Sequence, residues 1–199
     1  MNDSKNVGLR RRMKREERRD ILLDLATTII EERGIEALTL ITLTEVAGIT
    51  KPVTYSQFQT RQGLLMALYQ RCDARFFAEL KQGMLSQPMD EHSLARRFTD
   101  TYLLCVKRHG RVYDATIAAL KSYPEHETIA VSVRMAFICT LRNLLQDARL
   151  NIDIPSDIRL ISLYGSIEEL GKAYLDAQVP EKEAGDEMMY IVSRLLTGI

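Results

Sequence analysis

The sequence predicts an all-α protein of nine helices, on three observations. Apolar residues recur at three- and four-residue spacing in segment after segment, as in Ile21, Leu22, Leu25, Ala26, Ile29 and Ile30, and again in Leu64, Leu65, Leu68, Cys72, Phe76 and Leu80. Pro88, Pro124, Pro155 and Pro180 stand between such segments, where a helix does not continue. No alternating apolar and polar run of the strand kind is present, nor any repeat or low-complexity stretch.

Taken in order, the first stripe sets a helix at about 15–33, closed by Gly34, a residue suited to the left-handed position past a helix end. A short second helix fits about 40–47, with Thr39 as N-cap and Leu43, Val46 and Ala47 turned inward; Thr42 with Glu45 offers an alternative capping box. Gly48 breaks this helix. Thr50 caps a third that ends near Gln57 and carries Pro52 in its first turn, where a missing N–H does no harm. Thr60 caps a long fourth helix reaching Gly83, and a polar linker runs from Ser86 to His92. Further helices follow at about 93–109, 111–122, 125–149, 156–178 and 181–197.

With 199 residues, 46% of them hydrophobic and 27% charged, the chain has ordinary globular usage and length enough to bury a sizeable core. The net charge is zero but unevenly spread: residues 1–71 carry 12 Lys and Arg against 9 Asp and Glu, and residues 72–199 carry 15 against 18. Within residues 1–19 the count is 8 against 3, because Arg10, Arg11, Arg12, Lys14, Arg15, Arg18 and Arg19 crowd together. Such a cluster suits a polyanion or a merely solvated tail. Cys72, Cys105 and Cys139 are odd in number, far apart and set in apolar stretches, which reads as reduced core thiols rather than a disulfide framework or a zinc site. The N-terminus lacks the apolar run of a signal peptide, and about 18 apolar residues nowhere run without charge. The expected location is the cytoplasm, without a membrane partner.

The decisive stretch is Thr39 to Arg61, where a short helix, a turn centred on Gly48 and a second short helix follow without spare residues. This is the helix-turn-helix layout, about 39–58 here: the first helix braces the second, Gly48 allows the sharp turn, and Leu43, Ala47, Ile49 and Phe58 lock the angle. From Gly34 the chain reads GIEALTLITLTEVAGITKPVTYSQFQTRQGLL. In Gly34, Thr39, Ala47-Gly48-Ile49-Thr50, Tyr55, Phe58, Arg61 and Leu64-Leu65 this run resembles the DNA-binding module of the TetR family of transcriptional regulators. The resemblance covers roughly residues 15–75, and it implies a basic arm at 1–14, a DNA-binding domain at 15–75 and a ligand-binding and dimerisation domain at 76–199.

Carried over residue by residue, the resemblance implies that Tyr55, Thr39 and Thr50 contact phosphates, with Arg61 adding a cation at the positive end of the fourth helix. Lys51, Pro52, Val53, Ser56 and Gln57 then present the surface facing the major groove, Lys51 and Gln57 holding donors suited to guanine and adenine edges. The chain departs from the family at Thr44, where a small Ala is customary, at Thr54, where an apolar residue usually packs, and at Gln57, where an aromatic residue or His is common. Ile41 takes a place often polar or basic. The two threonine hydroxyls need internal partners, and the arm before Arg15 can offset a lost phosphate contact.

The resemblance also implies a homodimer made by the last two helices. Independently, Ile161, Tyr164, Ile167, Leu170, Tyr174, Met188, Ile191, Val192 and Leu195 form apolar faces wide for a chain end, with Gly165 and Gly171 allowing close approach; the alternative is that both helices close the monomer core. Before them lies an aromatic and sulfur-rich set, Phe76, Phe77, Tyr102, Cys105, Tyr113, Met135, Phe137 and Cys139, which is either core or the wall of a small-molecule cavity. In the second case His109, His126, Arg134 or Arg142 supplies polar contacts to an effector of unknown identity. No catalytic, metal or cofactor set is expected: Gly165 to Ala173 is one residue too long for a phosphate loop and lacks its Ser or Thr, and the three histidines have no ligand spacing. The expected mechanism is a repressor dimer whose recognition helices enter successive major grooves about 34–36 Å apart, released by a ligand that prefers another spacing. The competing class is a DNA-binding or architectural module without a ligand, which a filled C-terminal core would favour.

Overall fold

The computed structural model describes residues 15–86, 90–148 and 152–197, in two compact units that meet between Leu68 and Tyr69, earlier than the expected 75/76 boundary. The basic arm at 1–14 lies outside the described residues. Among these residues there are eight α-helices and no strand.

The first unit contains α1 (Arg15–Arg33), α2 (Leu40–Ala47), α3 (Lys51–Phe58) and the beginning of α4 (Arg61–Leu85). In α1 the residues Leu22, Leu23, Ala26, Ile29 and Ile30 share one face and are buried, which leaves Ile21 on the opposite flank, 45% exposed, and not in the stripe expected of it. Likewise α2 turns Leu40, Leu43 and Thr44 inward, an i, i+3, i+4 set that puts Val46 outside, contrary to expectation. Phe58, Leu64, Leu65 and Leu68 complete this core.

The second unit takes in the rest of α4, then α5 (Glu91–Lys121), α6 (Ile129–Asp147), α7 (Asp157–Leu175) and α8 (Glu181–Val192), with a π-helical turn at Ser193–Thr197. Its core joins Leu80, Phe98, Phe137, Leu141, Leu163 and Met188 from five helices. The two helices expected at 93–109 and 111–122 are one, α5, begun by a capping box between Asp90 and Ser93. Gly110 does not break it. A Cβ there would lie 2.5 Å from Leu175 Cδ1, so this glycine lets α7 come close to α5. The segment Pro124–Asp147 is long and apolar enough to cross a membrane by length and composition, but Phe137, Ile138, Leu141, Leu144 and Leu145 are buried in this core, as in a core helix.

Candidate functional site

The angle between α2 and α3 is set by a few polar contacts. Thr39 is the N-cap of α2, its hydroxyl accepting from the Thr42 amide at 3.0 Å, so the cap lies at Thr39 and not at Thr42. Gly48 closes α2 in the left-handed conformation, φ 61°, where a side chain would be strained. Inside the corner the Thr44 hydroxyl donates to the Leu40 carbonyl at 2.6 Å, and the hydroxyls of Thr44 and Thr54 are hydrogen-bonded at 2.9 Å. The two unusual threonines are thus each other's partner.

At the far end of α3, Arg19 donates to the Gln57 carbonyl at 2.9 Å with its guanidinium 5.1 Å from the Phe58 ring centre, and Arg15 reaches the Ser56 carbonyl at 3.4 Å. These two members of the basic cluster fill carbonyls that a helix leaves open at its C-terminus. The periodicity of the basic cluster gave no signal for this. Gly63 sits so near the joint that a Cβ would meet the Phe58 carbonyl oxygen at 2.2 Å.

Thr54, Gln57 and Phe58 point inward, while Lys51, Pro52, Tyr55 and Ser56 are exposed and Val53 is half-buried. Gln57, expected on the groove-facing side, is only 8% exposed: it shares the inner i, i+3, i+4 set with Thr54 and Phe58, and that spacing was the available signal. Thr50 occupies the N-cap position of α3 without a side-chain capping bond, contrary to its expected capping role, and is exposed. Arg61 does not extend freely from α4. Its Nε donates to the Leu38 carbonyl at 2.9 Å and its Nη2 to that of Ile35 at 3.0 Å, with Glu36 at 3.7 Å, so it braces the segment before α2.

In the second unit, helices α4 to α7 line a partly open cavity. Phe76, Tyr102, Cys105, His109, Tyr113 and Phe137 of the expected set line it. Its inner part leaves about 70 Å³, and an outer groove sharing Tyr113, Val133 and Tyr164 leaves about 480 Å³. Arg134 lines only the groove. Arg142 and His126 line neither; Arg142 is ion-paired with Asp157. Met135 and Cys139 are exposed. Asp114, Glu168 and Lys172, which line both parts, were absent from the sequence-based set.

The cavity's polar groups are linked. His109 Nε2 and Glu79 Oε1 are 2.9 Å apart and Arg108 lies 3.4 Å from the other oxygen. Burial pushes the Glu79 carboxyl up, but His109 and Arg108 outweigh it and hold it below its usual range. Burial, helped by the Glu79 charge, raises the Cys105 thiol to about 12, so it stays protonated. The Tyr113 hydroxyl donates to Asp73 at 3.1 Å, and burial raises both groups. Burial also raises Asp114, although Lys172 opposes this.

Of the expected dimer residues, Ile167, Met188 and Val192 are fully buried within the second unit and cannot face another chain; here the alternative, closure of the monomer core, holds. Tyr164, Leu170, Tyr174, Ile191 and Leu195 are half-buried against that core, and Ile161 is exposed. Gly171 packs on Val106 and Tyr102, whereas nothing lies within 4 Å of a Cβ built at Gly165.

No protein-family model matches the chain. It is 21% identical over 180 residues to the HTH-type transcriptional regulator EthR of Mycolicibacterium smegmatis, a match spanning 90% of this chain and 83% of that protein. Its fold matches a TetR-family transcriptional regulator from Streptomyces coelicolor, with TM-score 0.69, 20% identity and coverage of 92% of this chain and 82% of that one. It also matches the multidrug binding protein EbrR, solved in complex with imidazole, with TM-score 0.64, 19% identity and coverage of 88% and 89%.

Proposed function

We propose that this chain, which shares the fold of a TetR-family regulator and is similar to a curated regulator over nine-tenths of its length, is itself a TetR-family transcriptional regulator that binds operator DNA as a homodimer and is released by a small molecule. The observation that carries the reading is the outer face of α3. Lys51, Tyr55 and Ser56 are exposed there, on a helix held from behind by the Thr44–Thr54 pair and at its end by Arg15 and Arg19. A helix braced from behind, held at its C-terminal end and open on one polar side is what major-groove docking needs. Tyr55 and Thr50 offer hydroxyls for phosphates and Lys51 a donor for a base edge. Gln57 and Arg61 serve mainly to hold the module.

The cavity supports ligand control over the ligand-independent architectural reading, which a filled core would have favoured. Release needs only that the ligand prefer the state that binds DNA poorly; a coupling of about 1–3 kcal/mol lowers affinity by about 5–150-fold. On this reading the chain works in the cytoplasm, where its operator lies.

The test is selection of bound duplexes from a random-sequence pool, followed by salt titrations on the selected site. Selected sites should be two-fold symmetric. Tyr55→Phe should weaken binding to every duplex and flatten the salt dependence, and Lys51→Ala should relax preference at particular bases. If no sequence is enriched, the reading fails.

A further inference from the structure

The inner cavity has an apolar wall and a charged end. Phe76, Tyr102 and Phe137 are among its lining, and Asp114, Glu168 and Lys172 close it toward the outer groove. Lys172 is ion-paired with Glu168 at 2.8 Å, and Glu168 also holds the Tyr164 hydroxyl. Asp114 makes no hydrogen bond or ion pair among the described residues. His109 does not balance it, because His109 is engaged by Glu79. Among the residues that line the inner part, Asp114 and Glu168 thus face one ammonium, that of Lys172, while Lys121 and Arg134 approach only from the outer groove. A buried charge calls for a partner, and aromatic walls favour a cation over an anion.

We propose that this cavity takes an organic cation: a protonated amine at Asp114, with its apolar body lying in the outer groove against Tyr113, Val133 and Tyr164. This rests on the ligand-responsive reading above and names the chemistry of its ligand. Glu168 and Lys172 satisfy each other and frame the ammonium site. A carboxylate ligand would meet Asp114 as a like charge. Its attraction would have to come from Arg134 and Lys121, which line only the outer groove, together with Asp176.

The test is calorimetry on the full chain without DNA, using three probes of one skeleton: phenylpropylammonium, phenylpropanol and phenylpropanoate. The ammonium should bind at least about tenfold more tightly than the alcohol, and the carboxylate no better than the alcohol. Asp114→Asn should bring the ammonium to the alcohol's affinity and leave the alcohol unchanged. Because Asp114 is half-buried and makes no hydrogen bond, the amide should fold with a melting temperature close to the parent's, which circular dichroism checks. The ranking in the parent does not depend on that variant. The proposal is overturned if the carboxylate binds best, if all three bind alike or none binds, or if Asp114→Asn keeps the preference. These outcomes leave DNA binding untouched, and failure to select a DNA site leaves the cation ranking untouched.

Discussion

Thr44 holds the corner of the helix-turn-helix with one shared proton, its hydroxyl donating to the Leu40 carbonyl at 2.6 Å and to the Thr54 hydroxyl at 2.9 Å. Thr44→Val then strands the fully buried Thr54 hydroxyl and should cost about 1–3 kcal/mol, whereas Thr54→Val leaves Thr44 its carbonyl and should cost less. The double valine variant removes both needs at equal shape and should recover most of the loss in urea unfolding. A double variant as unstable as the sum of the singles would show the pair to be uncoupled. That these hydroxyls needed partners was legible in the sequence, since apolar residues are customary there. Their pairing was not, because it joins two helices at a separation no local period reports. The same holds for Arg15, Arg19 and Arg61: charge counts see seven clustered cations, but a guanidinium that reaches across to a carbonyl is a tertiary fact.

Helix ends were read well at Thr39 and at Thr60, whose hydroxyl accepts from the Gly63 amide, but not at Asp90, which lies inside the expected linker and forms a capping box with Ser93. Glycine was the ambiguous letter, because it marks both a chain that turns and a helix that is closely approached. Gly48 is the first kind and Gly110 the second, and only Leu175, far along the chain, tells them apart. Two alanine substitutions separate the effects at element scale. At Gly63 a Cβ meets a backbone oxygen, which cannot give way without shifting α3 against α4, so Gly63→Ala should destabilise by about 1–3 kcal/mol and weaken DNA binding in parallel. At Gly110 it meets the end of the Leu175 side chain, which can change rotamer. Gly110→Ala should cost clearly less in thermal unfolding and leave DNA affinity unchanged while altering ligand affinity, since both residues line the cavity. Equal losses at the two sites would mean that backbone and side-chain neighbours yield alike.

At the scale of the whole molecule, the helical period misjudged what the last two helices bury. Their apolar faces are wide because one side closes the second unit: Ile167, Met188 and Val192 have no exposed surface. A single sequence cannot divide a wide stripe between an inner core and an outer partner, since both want the same residues. What remains outside is Ile158 at 78% exposure, Ile161 at 42% and the open Gly165 on one face of α7, with Tyr190 at 57% on α8. Exposed apolar residues grouped beside a glycine that admits close approach suit a two-fold contact between copies of this chain. Two-fold symmetry also matters for the proposed function, because one short recognition helix reads too few bases for operator specificity. A charge on the outer face should therefore separate the copies without unfolding them. Ile161→Glu should sediment as a folded monomer at micromolar concentration, with near-parental helicity and without tight binding to a symmetric site. Ile167→Glu puts an unpaired charge in the core and should instead lose much of its helicity and thermal transition. A folded Ile161→Glu dimer would move the contact to another face, and a parental protein that sediments as a monomer would remove the dimer from the mechanism.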